Sequence, residues 1–226
     1  MRASVVGLRW LRATIQSSRD YFRRRFLRMK PRLYNTQRCP YARRTRIVLH
    51  EKGINFDVHE VDLSNKSEEF LSVSPYGKVP VLAVNGLSLY ESNVVNEYLD
   101  EIHETPRLMP RNPEARALAR SWMAFADDYF FPFVFRVRVG SQRGFSEEQI
   151  QEAREKLVDA LSRLEYQLEG KEYLVGEYTL ADIAHAGNFH RLRELAERED
   201  VPLQKYPNVA AWMERVESRE SYKAAI

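Results

Sequence analysis

Cys39, followed directly by Pro40, is the residue pair in this chain with the clearest chemical potential. It lies between a strand-like stretch, 32–36, and an arginine-rich helical stretch that ends at Gly53. Proline is favoured at the first position of a helix, because the N–H that it lacks would be unpaired there. Cys39 is therefore predicted to cap this helix, where free backbone N–H groups and the helix dipole favour a thiolate.

Three nearby arginines, Arg38, Arg43 and Arg44, would add to the stabilisation of a thiolate. The alternative is a buried, inert cysteine, which a loop-to-helix junction disfavours. Cys39 is the only cysteine of the chain, which excludes an intrachain disulfide, a zinc site of several thiolates and a dithiol oxidoreductase. A mixed disulfide at Cys39 must then be resolved by an external thiol, so a small thiol cosubstrate is predicted.

Two further residue pairs, Val79-Pro80 and Glu91-Ser92, indicate where such a cosubstrate would lie. A cis bond before Pro80 would present the Val79 backbone to a ligand in a strand-like pairing, whereas the alternative is an ordinary edge-strand proline. Ser92 and the N–H groups of the helix that starts there would bind a carboxylate, whereas the alternative is simple capping.

The charge of the chain is unevenly distributed. Residues 1–32 hold nine Arg and one Lys against Asp20 alone, although the formal charge of the whole chain is only +3. Residues 1–31 are therefore predicted to be a basic leader: a transit peptide, a membrane-surface helix, or else a poorly ordered extension or the product of a misassigned start codon. The remainder is net acidic, so no nucleic-acid partner is predicted. No apolar run reaches the roughly 20 residues of a membrane span. The single cysteine favours a cytoplasmic, reducing location, with an organelle as the alternative.

Hydrophobic periodicity predicts an α/β unit followed by an all-α unit. The boundaries predicted are an α/β domain over 32–106, a proline-rich linker over 107–113 and an all-α domain over 114–226. The predicted strands are 32–36, 56–61, 79–84 and 87–90, the last two joined by a turn at Asn85-Gly86, and the predicted helices are 39–52, 67–73, 91–103, 115–139, 147–168, 181–196 and 209–216.

Together, these features resemble the cytosolic glutathione transferase family. The run Cys39 to Ala42, Val79-Pro80, Glu91-Ser92 and a capping box of Thr179 and Asp182 follow one another in the family's order, and the resemblance covers 32 to about 222. It implies a thioredoxin-like N-terminal half, an all-α C-terminal half, glutathione as cosubstrate, no metal and a homodimer.

A cysteine at this position resembles the omega-type, beta-type and dehydroascorbate-reductase branches of the family. The resemblance implies that Cys39 is the catalytic nucleophile, that Val79, next to Pro80, pairs its backbone with the cysteinyl part of glutathione, and that Glu91 and Ser92 hold the γ-glutamyl end. Lys66 matches an omega-type lysine near the glycyl carboxylate, or else is a solvated surface lysine. The reactions implied are thiol transfer, deglutathionylation and dehydroascorbate reduction.

Two aromatic features have competing interpretations. Tyr34, at the end of the first strand, is a rival for hydroxyl-based chemistry, but we expect it to pack under the sheet. Tyr129, Phe130 and Phe133 are interpreted either as an apolar pocket for an electrophilic or disulfide acceptor, or equally as core between helices. Pro132 is expected to kink the helix that carries them.

A second resemblance implies a protein of a different class. Residues 87–92, 97–101, 108–110 and 115–116 resemble stringent starvation protein A, a non-catalytic regulator of the same fold that binds RNA polymerase. The sequence departs from that regulator at Cys39-Pro40, which favours an enzyme. A chloride-channel-like relative that inserts into membranes is a smaller possibility. The five histidines, His50, His59, His103, His185 and His190, lack metal-site spacing and are expected at the surface or in packing.

Overall fold

The computed structural model describes residues 30–226, so the interpretations of the basic leader lie outside the described residues. The α/β order and the all-α remainder predicted from the sequence are both present. The strands are β1 Arg32–Asn35, β2 Asp57–Glu60, β3 Val81–Val84 and β4 Leu87–Tyr90. The helices are α1 Pro40–Glu51, α2 Glu68–Val73, α3 Ser92–Ile102, α4 Pro113–Phe125, α5 Phe131–Val139, α6 Glu147–Gln167, α7 Leu180–Ala186, α8 Phe189–Glu197, α9 Pro207–Glu217 and α10 Glu220–Ala224.

The four strands form one mixed sheet in the order β2-β1-β3-β4. Strand β1 pairs parallel with β2 and antiparallel with β3, and β3 pairs antiparallel with β4. The predicted hairpin turn is confirmed, because Asn85 and Gly86 both have positive φ, at 53° and 79°. Alternate side chains of β1 enter different cores: Leu33 packs with the helices that face the all-α half, and Tyr34 packs with Phe70 of α2.

The prediction of one continuous helix over 115–139 is wrong. It divides into α4, a π-helical turn at Ala126–Phe130, and α5. Pro132 explains the division, because it has no N–H to donate to the preceding turn and its ring crowds that turn, so a wider turn is inserted there.

The helix predicted over 181–196 is also two elements, α7 and α8, separated at Gly187 and Asn188. At Gly187 the chain passes so close to α1 that an added Cβ would lie 2.4 Å from the carbonyl oxygen of Pro40. Only glycine permits this approach. The break therefore brings the start of α8 next to Cys39, which neither helical pattern predicted.

The predicted linker is firmly held where it leaves the α/β half. The Lys52 ammonium contacts the Asp100 carboxylate at 2.5 Å and the His103 carbonyl at 2.6 Å. The same carboxylate accepts the N–H groups of Leu108 and Met109, at 2.7 and 3.0 Å. All these polar groups are buried and paired, so the ion pair fixes the path of the chain into the helical half.

Within residues 30–226, no helix is long and apolar enough to cross a membrane. In the same range, no three His, Cys, Asp or Glu side chains are grouped so that they would hold a metal ion.

Candidate functional site

Cys39 caps α1 as the sequence predicted. Its backbone is extended, with φ −77° and ψ 121°, and Pro40 is the first helical residue. The thiol is not used as a cap, and the side chain is partly exposed. Its Sγ lies 3.8 Å from the carbonyl oxygen of Val79, which is within reach of a weak S–H donor. The reactive atom therefore lies at the helix N-terminus, beside the loop that carries Val79.

The Val79-Pro80 peptide bond is cis, as the sequence suggested. Strand β3 begins only at Val81, which shortens the strand predicted over 79–84 and leaves Val79 outside it. The loop before Val79 is tied by Ser74, whose hydroxyl donates to the Lys78 carbonyl and accepts the Lys78 N–H, both at 2.9 Å. This loop therefore holds the Val79 backbone beside Cys39.

A cleft of about 330 Å³ opens beside this loop. It brings together four of the predicted glutathione-binding positions, since Val79, Pro80, Glu91 and Ser92 all line it. Its remaining lining residues are Tyr41, Ser74, Tyr76, Lys78, Tyr90 and Asp127. The sequence analysis missed these residues, although Lys78 is adjacent to Val79 and Tyr41 is two residues after Cys39. The cleft offers an ammonium, two carboxylates and several hydroxyls to a polar ligand.

Glu91 and Ser92 form the cleft wall at the start of α3. Glu91 is the cap residue and has a positive φ of 63°, an uncommon and costly conformation outside glycine. Its side chain forms no capping bond, and Ser92 is the first helical residue rather than the cap. The first N–H groups of α3 are therefore part of the cleft wall and have no side-chain cap. Such an arrangement favours the binding of an anion.

A polar cluster of Arg44, Asn93 and Asp127 lies behind the cleft. Arg44 is fully buried, and its guanidinium contacts Asp127 at 2.5 Å and Asn93 at 2.8 Å. The Asn93 amide donates to the second Asp127 oxygen at 2.9 Å. The Arg44 guanidinium also lies over the rings of Tyr41 and Phe131, at 4.8 and 4.6 Å. Arg44 is therefore committed to joining α1, α3 and the π-helical turn, and the predicted support for Cys39 must come from other arginines.

Lys66 does not line the cleft. It is exposed and lies against the loop at Gly77, where an added Cβ would be 3.1 Å from its Nζ. Lys78 lines the cleft itself. The role of Lys66 near a glycyl carboxylate stays a prediction, and Lys78 is a second basic candidate for it.

Tyr34 packs under the sheet, as expected. It is buried, its ring contacts His59 and Phe70, and its hydroxyl donates to Glu69 at 2.8 Å. Burial raises the pKa of Tyr34, and the bond to the Glu69 carboxylate adds to this. A hydroxyl that is held in its neutral form and bonded to Glu69 of α2 is not free for chemistry at the cleft.

The three aromatics proposed for an acceptor pocket do not converge on the cleft. Phe130 is fully buried beside His185, so it belongs to the core interpretation. Phe133 lies under the Lys156 ammonium at 5.7 Å, and Tyr129 is 58% exposed and stacks on Phe125. An acceptor role for Tyr129 and Phe133 stays a prediction. The spacing of aromatics alone did not distinguish inward from outward ring directions.

Two histidines near the site should make stability depend on pH. Burial lowers the pKa of His185 and of His190 from 6.5 to about 4, with arginines nearby adding to the effect. As the pH falls, the unfolded chain binds these protons before the folded chain does. The contribution of the two neutral histidines to the free energy of unfolding is therefore fully present above about pH 6.5 and is lost as the pH falls toward 4. Burial raises the pKa of Asp182 to about 6, and proton uptake there offsets part of the loss below that pH.

Urea unfolding at about pH 7 and about pH 5.5 checks this expectation. The free energy of unfolding should fall by roughly 1–2 kcal/mol for each unit by which the pH is lowered. This is less than two fully buried histidines would give, because His190 is partly exposed and solvent screens its charge. His190→Gln should flatten the slope. Equal stabilities at the two pH values, or an unchanged slope in the variant, would contradict the assignment.

Two family models match the chain: the glutathione S-transferase N-terminal domain over residues 38–102 and the glutathione S-transferase C-terminal domain over residues 122–220. Glutathione S-transferase U7 of Arabidopsis thaliana is 32% identical over 192 residues, covering 83% of this chain and 82% of the relative. A stringent starvation protein A homolog of Coxiella burnetii is 32% identical over 195 residues, covering 86% and 90%. Among solved structures, glutathione transferase Omega 3C of Trametes versicolor matches with a TM-score of 0.78 at 29% identity, covering 88% of this chain and 89% of that one.

Proposed function

This chain belongs to the glutathione S-transferase family, and from that premise we propose that it is a glutathione-dependent thiol transferase whose nucleophile is Cys39. One observation carries the proposal: a partly exposed thiol at the N-terminus of α1, 3.8 Å from the Val79 carbonyl and next to the cleft. Free backbone N–H groups at such a position can interact with the sulfur, and the thiolate form of a cysteine is the nucleophile in disulfide exchange.

The proposed reaction reduces a mixed disulfide between glutathione and an acceptor thiol. The Cys39 thiolate attacks the glutathione sulfur, the acceptor sulfur leaves as a thiolate and takes a proton from water, and a Cys39–glutathione disulfide forms. A second glutathione thiolate then attacks the glutathione sulfur of that disulfide. Glutathione disulfide is released and the Cys39 thiolate is restored. Two glutathiones can likewise supply the two electrons for dehydroascorbate, which takes up two protons.

Glutathione would lie along the cleft. The Val79 backbone would pair with its cysteinyl part, which brings the sulfur to Cys39. The N-terminus of α3, with Ser92, would hold the γ-glutamyl carboxylate, and the Glu91 carboxylate would face the γ-glutamyl ammonium. Lys78 or Lys66 would face the glycyl carboxylate. Glutathione S-transferases generally form dimers, and we propose a homodimer here on that basis.

The test compares two kinds of chemistry in the unmodified protein. We expect glutathione-dependent reduction of hydroxyethyl disulfide and of dehydroascorbate to exceed conjugation of 1-chloro-2,4-dinitrobenzene, because a thiol is a poor hydrogen-bond donor to a glutathione thiolate. Coupled NADPH oxidation measures the reductions, and absorbance of the adduct measures conjugation. Fast conjugation with no disulfide reduction would support a hydroxyl-type transferase instead.

A non-catalytic regulator that binds RNA polymerase or another protein is the second candidate function. The 32% identity to a stringent starvation protein A homolog, over 86% of the chain, favours it specifically. Retention on glutathione-agarose with elution by free glutathione separates the candidates. Retention supports the transferase, whereas a protein that is neither retained nor active with any disulfide fits the regulator better.

A further inference from the structure

Four arginines form a positively charged group that extends from Cys39 toward the all-α half. We define it as the basic wall: Arg38, Arg43, Arg138 and Arg191. Arg191, from α8, donates to the carbonyl oxygen of Arg38 at 2.8 Å, which places its guanidinium one residue from the thiol. Arg43 lies one turn after Cys39 on α1, and its backbone N–H bonds to the Cys39 carbonyl at 2.9 Å. The wall is therefore assembled from the residue before Cys39 and from α1, α5 and α8, with Arg43 and Arg191 near Cys39 and Arg138 near Arg191.

The positive charge of the basic wall is only partly neutralised. Arg138 contacts the Glu194 carboxylate at 2.5 Å. Arg43 instead contacts His190 and the Gly187 carbonyl, and the low pKa of His190, about 4, shows that this imidazole is neutral near pH 7. Burial lowers the pKa of Arg191, and the charges of Arg138 and Arg43 add to this. Within residues 30–226, Glu194 is the one carboxylate that the wall contacts, so the guanidinium groups repel one another.

Two guanidinium nitrogens of the wall also lack partners. The Nε atoms of Arg43 and Arg191 are buried and form no hydrogen bond within residues 30–226. Arg191 keeps part of its side chain exposed, as Arg138 does, and Arg38 is exposed. An unpaired buried donor is costly, and repulsion between like charges adds to that cost. An anion beside Cys39 would relieve the repulsion.

We propose that the acceptor position beside Cys39 is built for a carboxylate-bearing acceptor, which Arg191 and Arg138 hold through charge-assisted hydrogen bonds. The proposal rests on the proposed function, because it names the class of acceptor thiol that leaves when Cys39 attacks a mixed disulfide with glutathione. Guanidinium groups bind carboxylates in paired, planar geometry, and they also stabilise the thiolate that departs. The site thereby differs from the apolar pocket that the aromatic residues suggested.

Alkylation of Cys39 tests the wall without any assumption about catalysis. Iodoacetate and iodoacetamide both lose iodide to the thiolate and form a carbon–sulfur bond, but only iodoacetate is an anion. Because the chain has a single cysteine, intact mass reports the reaction of this one site. We expect the rate ratio of iodoacetate to iodoacetamide to exceed that of 2-mercaptoethanol by about fivefold at low salt, and to fall as salt is added.

Variants of one helix separate the wall from general charge. Arg191→Gln should return the ratio most of the way to the reference, and Arg191→Lys should keep most of it. Arg193→Gln is the matched control on α8, because Arg193 is paired with Glu217 at 2.9 Å and lies outside the wall. Arg138→Gln serves as a second wall variant should Arg191→Gln fail to fold. A wild-type ratio equal to the reference, or a ratio that both wall variants leave unchanged, would overturn the proposal.

A comparison of two substrates then tests whether the wall binds the acceptor part of the mixed disulfide. The mixed disulfides of glutathione with 3-mercaptopropionate and with 2-mercaptoethanol differ by one carboxylate. We expect wild type to favour the anionic one in kcat/KM by about tenfold, and Arg191→Gln to remove most of that preference. A variant that raises KM for glutathione and keeps the preference would overturn the proposal, since the wall would then bind glutathione. If no disulfide is turned over but the alkylation ratio depends on Arg191, the thiol transferase function fails while the anion site stands.

Discussion

Replacing Cys39 with serine is expected to lower glutathione-dependent disulfide reduction by about three orders of magnitude or more, the scale on which loss of a covalent nucleophile acts. A serine hydroxyl is not ionised near neutral pH and cannot form the mixed disulfide with glutathione. It can donate a hydrogen bond to a glutathione thiolate, which a thiol does poorly. The same variant should therefore gain conjugation of 1-chloro-2,4-dinitrobenzene relative to wild type.

Two further variants make this expectation specific. Cys39→Ala should lose disulfide reduction without gaining conjugation, because alanine has no donor. Tyr34→Phe should keep wild-type activity in both assays, since the Tyr34 hydroxyl is already bonded to Glu69 of α2. Glutathione-coupled NADPH oxidation measures the reductions. Full disulfide reduction by Cys39→Ala, or its loss in Tyr34→Phe alone, would move the chemistry from the thiol to the phenol.

The parts of the site that the sequence predicted are those governed by local rules. Cys39-Pro40 at the start of a helix, the turn at Asn85-Gly86 and the capping box of Thr179 and Asp182 each follow from residues adjacent or nearly adjacent in the chain. Backbone geometry at such positions is decided by missing N–H groups, positive φ angles and capping oxygens. For that reason these predictions needed no knowledge of tertiary packing.

The partners that reach the site from distant segments could not be predicted in this way. Arg191 and His190 approach Cys39 only because α7 and α8 break at Gly187, where close packing on Pro40 excludes a side chain. Arg44 turned out to face Asp127, 83 residues away, instead of supporting the thiol. Periodicity identifies a buried helix face, but it does not say which other helix that face meets.

The aromatic residues show the same limit of prediction from local sequence patterns. Phe130 and Phe131 are adjacent and both buried, yet one packs beside His185 and the other lies under the Arg44 guanidinium behind the cleft. The π-helical turn, which ends at Phe130, changes the angular position of every side chain that follows it. The aromatic spacing, taken as one continuous helix, therefore left open whether Phe130 lines a pocket or belongs to the core, and in the structure it belongs to the core.

Replacing Asp182 with alanine is expected to destabilise the helical half by about 4 kcal/mol, among the larger effects of a single substitution. The Asp182 carboxylate is fully buried and accepts the N–H groups of Leu174 at 3.0 Å, Thr179 at 2.8 Å and the Trp212 indole at 2.9 Å. Alanine would leave these donors buried without partners, each at a cost of roughly 1–3 kcal/mol, and would remove the Asp182 half of the capping box while Thr179 stays as the cap. Asp182→Asn should cost less, because its amide oxygen keeps one set of bonds.

Thermal unfolding followed by circular dichroism at about pH 7.5 checks this, since burial raises the pKa of Asp182 only to about 6 and the group is then ionised. The expected decrease in Tm is on the order of 10 °C for a chain of this size. Asp159→Ala is the matched control, because Asp159 forms an exposed ion pair with Arg163 one turn away, a contact worth little. Equal Tm values for the Asp182→Ala and Asp159→Ala variants would mean that water replaces the carboxylate, and that the buried bonds to Leu174, Thr179 and Trp212 do not hold the helical half together.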